Sequence, residues 1–468
     1  STGESARGLA NMMTQPAGLT AQIAAQAAHR TFEHLPASMV ALAKQCLLDW
    51  LGVTLAGSRE PLVETLLAQS CSEGGRPQAT AVGHAPRVNR LQAALLNGTA
   101  SHALDYDDVN MAIIGHPTAP VLPAALALAE VQGASGQALI AAFVTGYEVE
   151  CRVGLAVGLD HYHRGWHATA TLGTFGAAAA AGWLLGLQPA QMATAFGIAG
   201  TQAAGLKSMF GTACKPFQVG KAAANGLLAA ELAQRGFSSR AEVIECEQGF
   251  GDTQSRDFQP ARALLPDDRF LLADNLFKYH AACYLTHSSI EAVAGLRQAH
   301  RLTPEQVKEV VLHVDAGHLK VCAIPAPTTG LESKFSLRHA AALALTGIDT
   351  AALGSYSDAL ANRADLVALR ERVRLETSGS IKGSAALVEL ITTQGAHFQQ
   401  QVDVGVPLRD LDLQWQKLAA KFRALTLPIL GAERSEILLA LVGRLETLPS
   451  LDPLFALLSA SDHSANRM

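Results

Sequence analysis

The sequence predicts a mainly α-helical protein: a large all-helical domain formed by both chain ends, residues 1–273 and 409–468, and a smaller α+β domain over residues 274–408. Three observations predict it. Before residue 273 strand signals are scarce, and segments such as "PASMVALAKQCLLDWLGVTLAG" repeat apolar residues at helical spacing before closing on glycine. After "PDDRFLLADNLFKYH" the texture changes to β-branched runs. Near the C-terminus, "WQKLAAKFRAL" and "SEILLALVGRLETL" return to amphipathic helix, which predicts packing back on the first domain.

Taken in order, the first domain opens on helices and reaches "LQPAQMATAFGIAGTQAAGL", where Pro189 suits a first helical position and closely spaced Ala and Gly let neighbouring backbones approach. Residues 168–206 carry no Asp, Glu, Lys or Arg, but Gln188-Pro189 interrupts the run, so buried core helices are expected rather than a membrane span. In the second domain, Thr303-Pro-Glu-Gln306 resembles a capping box leading into a strand-like "EVVLHV". "ALVELITTQGAHFQQQVDV" reads as two strands joined near Gln394-Gly395.

Composition narrows the function. At 468 residues the chain exceeds one simple core, and 49% hydrophobic against 16% charged residues, with 40 Gly and only 5% aromatics, suits closely packed helices with small residues between them. So few charges leave apolar surface for a subunit interface, which predicts an oligomer. The net charge of -5 without any Lys/Arg-rich run gives no electrostatic footprint for nucleic acid or an acidic membrane. Seven scattered cysteines with no CxxC pair indicate neither a disulfide framework nor a zinc site, and a reducing cytoplasm fits them. No N-terminal stretch reads as a signal peptide, and the natural start is expected at Met12 or Met13. GxGxxG, Walker A, GxSxG and HExxH are all absent, so dinucleotide, nucleotide, serine-hydrolase and zincin chemistry lack support, and no cofactor is expected.

Four stretches concentrate proton-handling groups. "SHALDYDDVNMAIIGHPTAP" carries His102, Asp105, Asp107, Asp108 and His116, readable as a solvated acidic turn or, with less support, a magnesium site. "HYHRGWHATATLG" sets His161 and His163 ahead of His167, which stands where a helix N-terminus would favour a bound carboxylate; a zinc set lacks a fourth ligand. "GLKSMFGTACKPFQVGKAAANG" contributes Lys207, Lys215 and Lys221, of which Lys215 lies at a break where a lysine can turn inward. "LFKYHAACYLTH" places Lys278, His280, Cys283, Tyr284 and His287 at the domain boundary, with Thr or Ser caps for the following helix.

In their order and spacing, "NGTASHALDYDDV…GHPTAPVLPAALALAE", "GWHATATLGTFGAAAAAG", "KPFQVGKAAANGLLAAELAQRGF", "FKYHAACYLTH" and "GLESKFSLRHAAALAL" resemble the recurrent blocks of the MmgE/PrpD family along essentially the whole chain. The resemblance implies a helical domain, a smaller α+β lid, an active site between them and a homodimer. It also implies one of the family's reactions on small polycarboxylates: 2-methylcitrate dehydration, cis-aconitate decarboxylation or iminodisuccinate epimerisation. By motif, Asp105, His116, His167, Lys215 and Lys278 match positions lining the decarboxylase pocket. Two positions depart from it: Cys283 stands where that branch has a histidine and Val109 where it has a threonine, while its pocket tyrosine aligns near Lys320.

All these reactions stabilise charge built up beside a carboxylate, which lysines and histidines in a closed cleft can do. Lys215, Lys278, Cys283, His167 and Tyr284 are therefore the expected catalytic groups. Asp105, His116, His102, Lys207 and His287 are expected to bind substrate, with no metal. A cysteine can serve as acid/base on a second face of one carbon, which ranks epimerisation of an iminodisuccinate-like amino polycarboxylate first, with dehydration or decarboxylation as alternatives. The same cysteine also reads as a small buried hydrophobe. A non-catalytic helical binding protein is the remaining alternative.

Overall fold

The computed structural model describes residues 17–460; Met12 and Met13 lie outside that range. Helices dominate. The body is assembled around the buried helix Ala168–Leu184, flanked by Thr118–Gln132, Gly136–His163, Pro189–Gly200 and Cys214–Gln234, with Arg90–His102 beyond the last. Ala, Gly and Thr cover so much of the Ala168–Leu184 helix that neighbours pack close: a Cβ on Gly226 would stand 2.6 Å from the Thr174 carbonyl oxygen. One on Gly98 would lie 2.9 Å from the Gly220 Cα. That contact locks the helix ending in His102 against the one beginning with Cys214 and Lys215.

The C-terminal stretch forms one long helix, Leu411–Gly443, bent at Gly431, whose φ of 76° is left-handed. It packs on Ala37–Gly57 and returns the chain end to the body. Ala37–Gly57 is the one helix among the described residues long and apolar enough to cross a membrane, and most of it is buried in the core. Between the two helices lies an ion pair, Lys421 Nζ to Asp49 Oδ1 at 2.6 Å, with both side chains 2% exposed. The residue 168–206 segment is likewise core, split by Gln188-Pro189 into two helices.

The β-branched runs form a four-stranded sheet ordered Val373–Thr377, Val307–Val314, Ala386–Thr392, His397–Val402; the first pair is parallel and the others antiparallel. Thr303 and Gln306 make the expected capping box, but it closes one 3-10 turn before the strand starts at Val307. Alternate residues of Ala386–Thr392 are buried, as a half-covered strand requires. Helices His287–Ala299 and Leu337–Thr346 pack on the sheet region. Thr286 stands at the N-cap of the first, yet its hydroxyl donates back to the Cys283 carbonyl instead of capping.

Buried apolar side chains fall into two clusters. The larger draws on residues from Leu19 to Phe277 and from Leu418 to Leu458. The smaller spans Ala281 to Leu390 and is joined by Val53, Ala56, Tyr106 and Leu425 from the helical side.

Candidate active site

Where Arg90–His102 ends, the chain turns through residues 103–117 and sets its acidic groups on different sides. Asp105 has a φ of 51°, a left-handed conformation that non-glycine residues seldom adopt. Its side chain is 54% exposed, whereas Asp107 and Asp108 point into the protein. Val109 and Leu276 exchange two backbone hydrogen bonds of 2.8 Å, laying this turn against the segment that carries Lys278. Here Val109 acts through its backbone.

Three cationic or hydrogen-bonding groups converge on Asp105. Lys215 Nζ, in the first turn of its helix, is 3.2 Å from Oδ1. Lys278 Nζ is 3.5 Å from Oδ2 and donates to the Asp105 carbonyl at 2.7 Å. His116 Nε2 is 3.4 Å from Oδ1, and its Nδ1 is 3.2 Å from Asp107 Oδ2. Asp107 also accepts from His102 Nδ1 at 3.0 Å. The result is a continuous network in which His116 links the buried Asp107 carboxylate to the Asp105 carboxylate at the surface, with His102 bonded to Asp107 from within.

Electrostatics follow from these contacts. Partial loss of water in the cleft opposes ionisation of Asp105, half-exposed as it is, but Lys278, His116 and Lys215 outweigh it and hold the carboxyl well below its usual range. Asp107 is likewise held low, its burial overcome by His102 and His116. Burial lowers His102 despite Asp107, and lowers His167 to about 2 with help from the neighbouring His102, Lys215 and His116. His167 is therefore neutral. It stands at the N-cap of Ala168–Leu184, tilted 5.7 Å from His102 and edge-on to Phe210 at 5.1 Å. Its Nδ1 has no hydrogen-bond partner among the described residues.

Donor atoms of His102, Asp105, Asp107 and His116 lie within 4.8 Å of one another, a spacing that could enclose a cation. Their donors are committed to each other, and two ammonium groups already neutralise Asp105. The arrangement is thus a hydrogen-bonded cluster with its own internal counter-charges.

Beside Asp105 opens a cavity of about 310 Å³, lined by Lys278, Cys283, Tyr284, Lys334 and Phe335 among others. Cys283 is half-buried there, and the neighbouring Cys322 thiol draws its pKa down to about 7 against the effect of burial, while the Cys322 thiol itself donates to the His318 carbonyl at 3.4 Å. Tyr284 lines the same space while its hydroxyl donates to the Val404 carbonyl at 3.0 Å.

Other expected residues serve elsewhere. Lys207 lies over the Tyr162 ring at 3.6 Å and donates to the Tyr162 carbonyl, so the structure does not bring it to Asp105. His287 is buried and bonded to the Ala282 carbonyl, and it packs edge-on against His280. His280 itself bridges Thr350 and Glu291. His161 is bonded to Thr171, while Lys221 and Lys320 are exposed. Sequence reasoning passed over Asp107 as a support, Cys322 as a thiol partner and Lys334 in the cavity wall. Asp107 and Lys334 had a signal, lying within the quoted "NGTASHALDYDDV" and "GLESKFSLRHAAALAL" blocks.

Comparisons with known proteins agree on one lineage. The MmgE/PrpD N-terminal domain profile matches residues 21–263 and the C-terminal domain profile residues 280–447. The chain is 26% identical over 472 residues to a cis-aconitate decarboxylase of Aspergillus terreus, covering 94% of this chain and 96% of that one. It is 28% identical over 443 residues to the cis-aconitate decarboxylase of Homo sapiens, covering 91% of each.

Proposed function

The chain belongs to the MmgE/PrpD family, and from that premise we propose that it is an enzyme of the lyase class that decarboxylates a small unsaturated tricarboxylate of the cis-aconitate type. The observation that carries this reading is the convergence of Lys215, Lys278 and His116 on one carboxylate at the wall of the cavity. The decarboxylases similar to this chain along nearly its full length support the choice of reaction. We read residues 274–408 as the lid over the helical body, and a homodimer in the cytoplasm as its setting; the low charge fraction and scattered thiols support both.

The reading reverses the order set by the sequence, in which epimerisation of an iminodisuccinate-like substrate stood first. That ranking needed an acid/base on each face of one carbon. Decarboxylation needs a single proton donor, and one thiol near neutrality in the cavity wall suits it. In a β,γ-unsaturated acid such as cis-aconitate the substrate supplies its own electron sink. The bond to the departing carboxylate breaks and CO2 leaves. Its electron pair moves through the double bond to form an enediolate on a retained carboxylate, which Lys215, Lys278 and His116 stabilise. Cys283 then gives its proton to the adjacent carbon and is reprotonated from solvent. A trianion and one proton become a dianion and CO2.

The test is NMR of the protein with cis-aconitate in D2O. The expected product is methylenesuccinate carrying one deuterium on the saturated methylene, formed with CO2. Unchanged cis-aconitate beside interconverting iminodisuccinate stereoisomers would restore the epimerase.

A further inference from the structure

Lys334 differs from every other lysine of comparable burial. Lys44 is tied to Glu446, Lys207 to the Tyr162 carbonyl, Lys215 and Lys278 to Asp105, Lys417 to Glu291 and Lys421 to Asp49. Lys334 is half-buried, lines the cavity that Asp105 also borders, and makes no ion pair or side-chain hydrogen bond among the described residues. Its place is nevertheless fixed, because its carbonyl accepts the Cys283 N–H at 2.9 Å and follows the short Gly330–Ser333 helix. Burial works against its charge, and only Glu60 favours it. A cation held this way is incomplete without an anion.

We propose that Lys334 is a substrate-binding residue that holds a carboxylate retained in the product, and so selects a polyanion over a monoanion. The assignment rests on the decarboxylase reading for what is retained and what departs. A cation on the departing carboxylate would stabilise the ionised ground state and oppose its loss as neutral CO2. On a retained carboxylate the same contact strengthens substrate and transition state alike, which lowers KM without changing kcat. Lys215, Lys278 and His116 serve the carboxylate that becomes the enediolate, so the second retained carboxylate of the substrate falls to Lys334, the remaining lysine in the cavity wall.

The probe that separates the cases is citraconate, which keeps both vinylic carboxylates and carries a methyl group where cis-aconitate carries CH2CO2−. Its Kd is measured by calorimetry on the wild type, Lys334→Gln, Lys334→Arg and Lys334→Met, the last keeping the aliphatic stem should the amide disturb folding. The expected result is a Kd for citraconate, and a KM for cis-aconitate, raised by about tenfold or more in the Gln and Met variants. kcat stays within about threefold, and Arg recovers most of the loss. An unchanged citraconate Kd in the Gln and Met variants, or no citraconate binding to the wild type, would overturn the assignment. If the wild type fails to turn over cis-aconitate yet the citraconate Kd still depends on Lys334, the decarboxylase reading fails and the Lys334 site stands.

Discussion

The helical side and the sheet side of the cavity are built on opposite electrostatic plans. On the helical side the charges of the site are paired with one another: His102 and His116 on Asp107, Lys215 and Lys278 on Asp105, and Lys421 on Asp49 beneath. On the sheet side the groups facing the cavity are loosely committed, with Cys283 beside the Cys322 thiol and Lys334 without an ion-pair or hydrogen-bond partner among the described residues. A preorganised cluster can stabilise charge as it develops without reorganising. Uncommitted groups can bind an anion or pass a proton, because no internal bond has to break first.

The contrast is sharpest where chemistry and stability come apart. Cys283→Ala is expected to lower kcat by about 10²–10⁴-fold, the range for loss of a general acid, while leaving the unfolding midpoint near the wild-type value. Stopped-flow or NMR turnover beside a thermal melt reads both, and near-normal turnover would remove the thiol from the mechanism. Lys421→Met should do the reverse within the body. It strands Asp49 in the core and should cost about 3–5 kcal/mol in urea unfolding, a loss that the paired change Asp49→Leu/Lys421→Met largely restores. A small loss in the single variant would mean that Asp49 takes up a proton at little cost, and the plan drawn for the helical side would weaken.

The smallest expected effect concerns pH. With Cys283 near 7, its proton-donating form is lost as pH rises through that value, so kcat should fall on the basic side of a pH profile. Cys322→Ala removes the neighbouring thiol that lowers Cys283, and the basic limb should move upward toward the ordinary thiol range. An unmoved limb would assign it to another group.

Much of the site was legible in short windows of sequence. Asp105 and His116 share one turn, His167 stands at a helix start, and Lys215 and Lys278 lie at breaks in the pattern; the structure gathers His116, Lys215 and Lys278 around the Asp105 carboxylate with His167 nearby. Lys207 illustrates the limit, since its composition-level promise dissolved once the ammonium was seen over the Tyr162 ring. The strands were legible because β-branched alternation is local, and the turn between Ala386–Thr392 and His397–Val402 falls where Gln394-Gly395 predicted it. Thr286 was misjudged as a side-chain cap because its hydroxyl had a nearer acceptor in the Cys283 carbonyl.

The sequence by itself determined the mainly helical class, the family and the set of residue types at the site, all of which depend on periodicity or on motifs a few residues long. Tertiary structure alone decided which charges are answered. The neighbour that shifts Cys283 is Cys322, the partner of Asp49 is Lys421, and that Lys334 has no partner among the described residues is something no window can reveal. The physical reason is that protonation and ion pairing depend on burial and on distances of a few ångströms between residues tens to hundreds of positions apart, and the fold sets both.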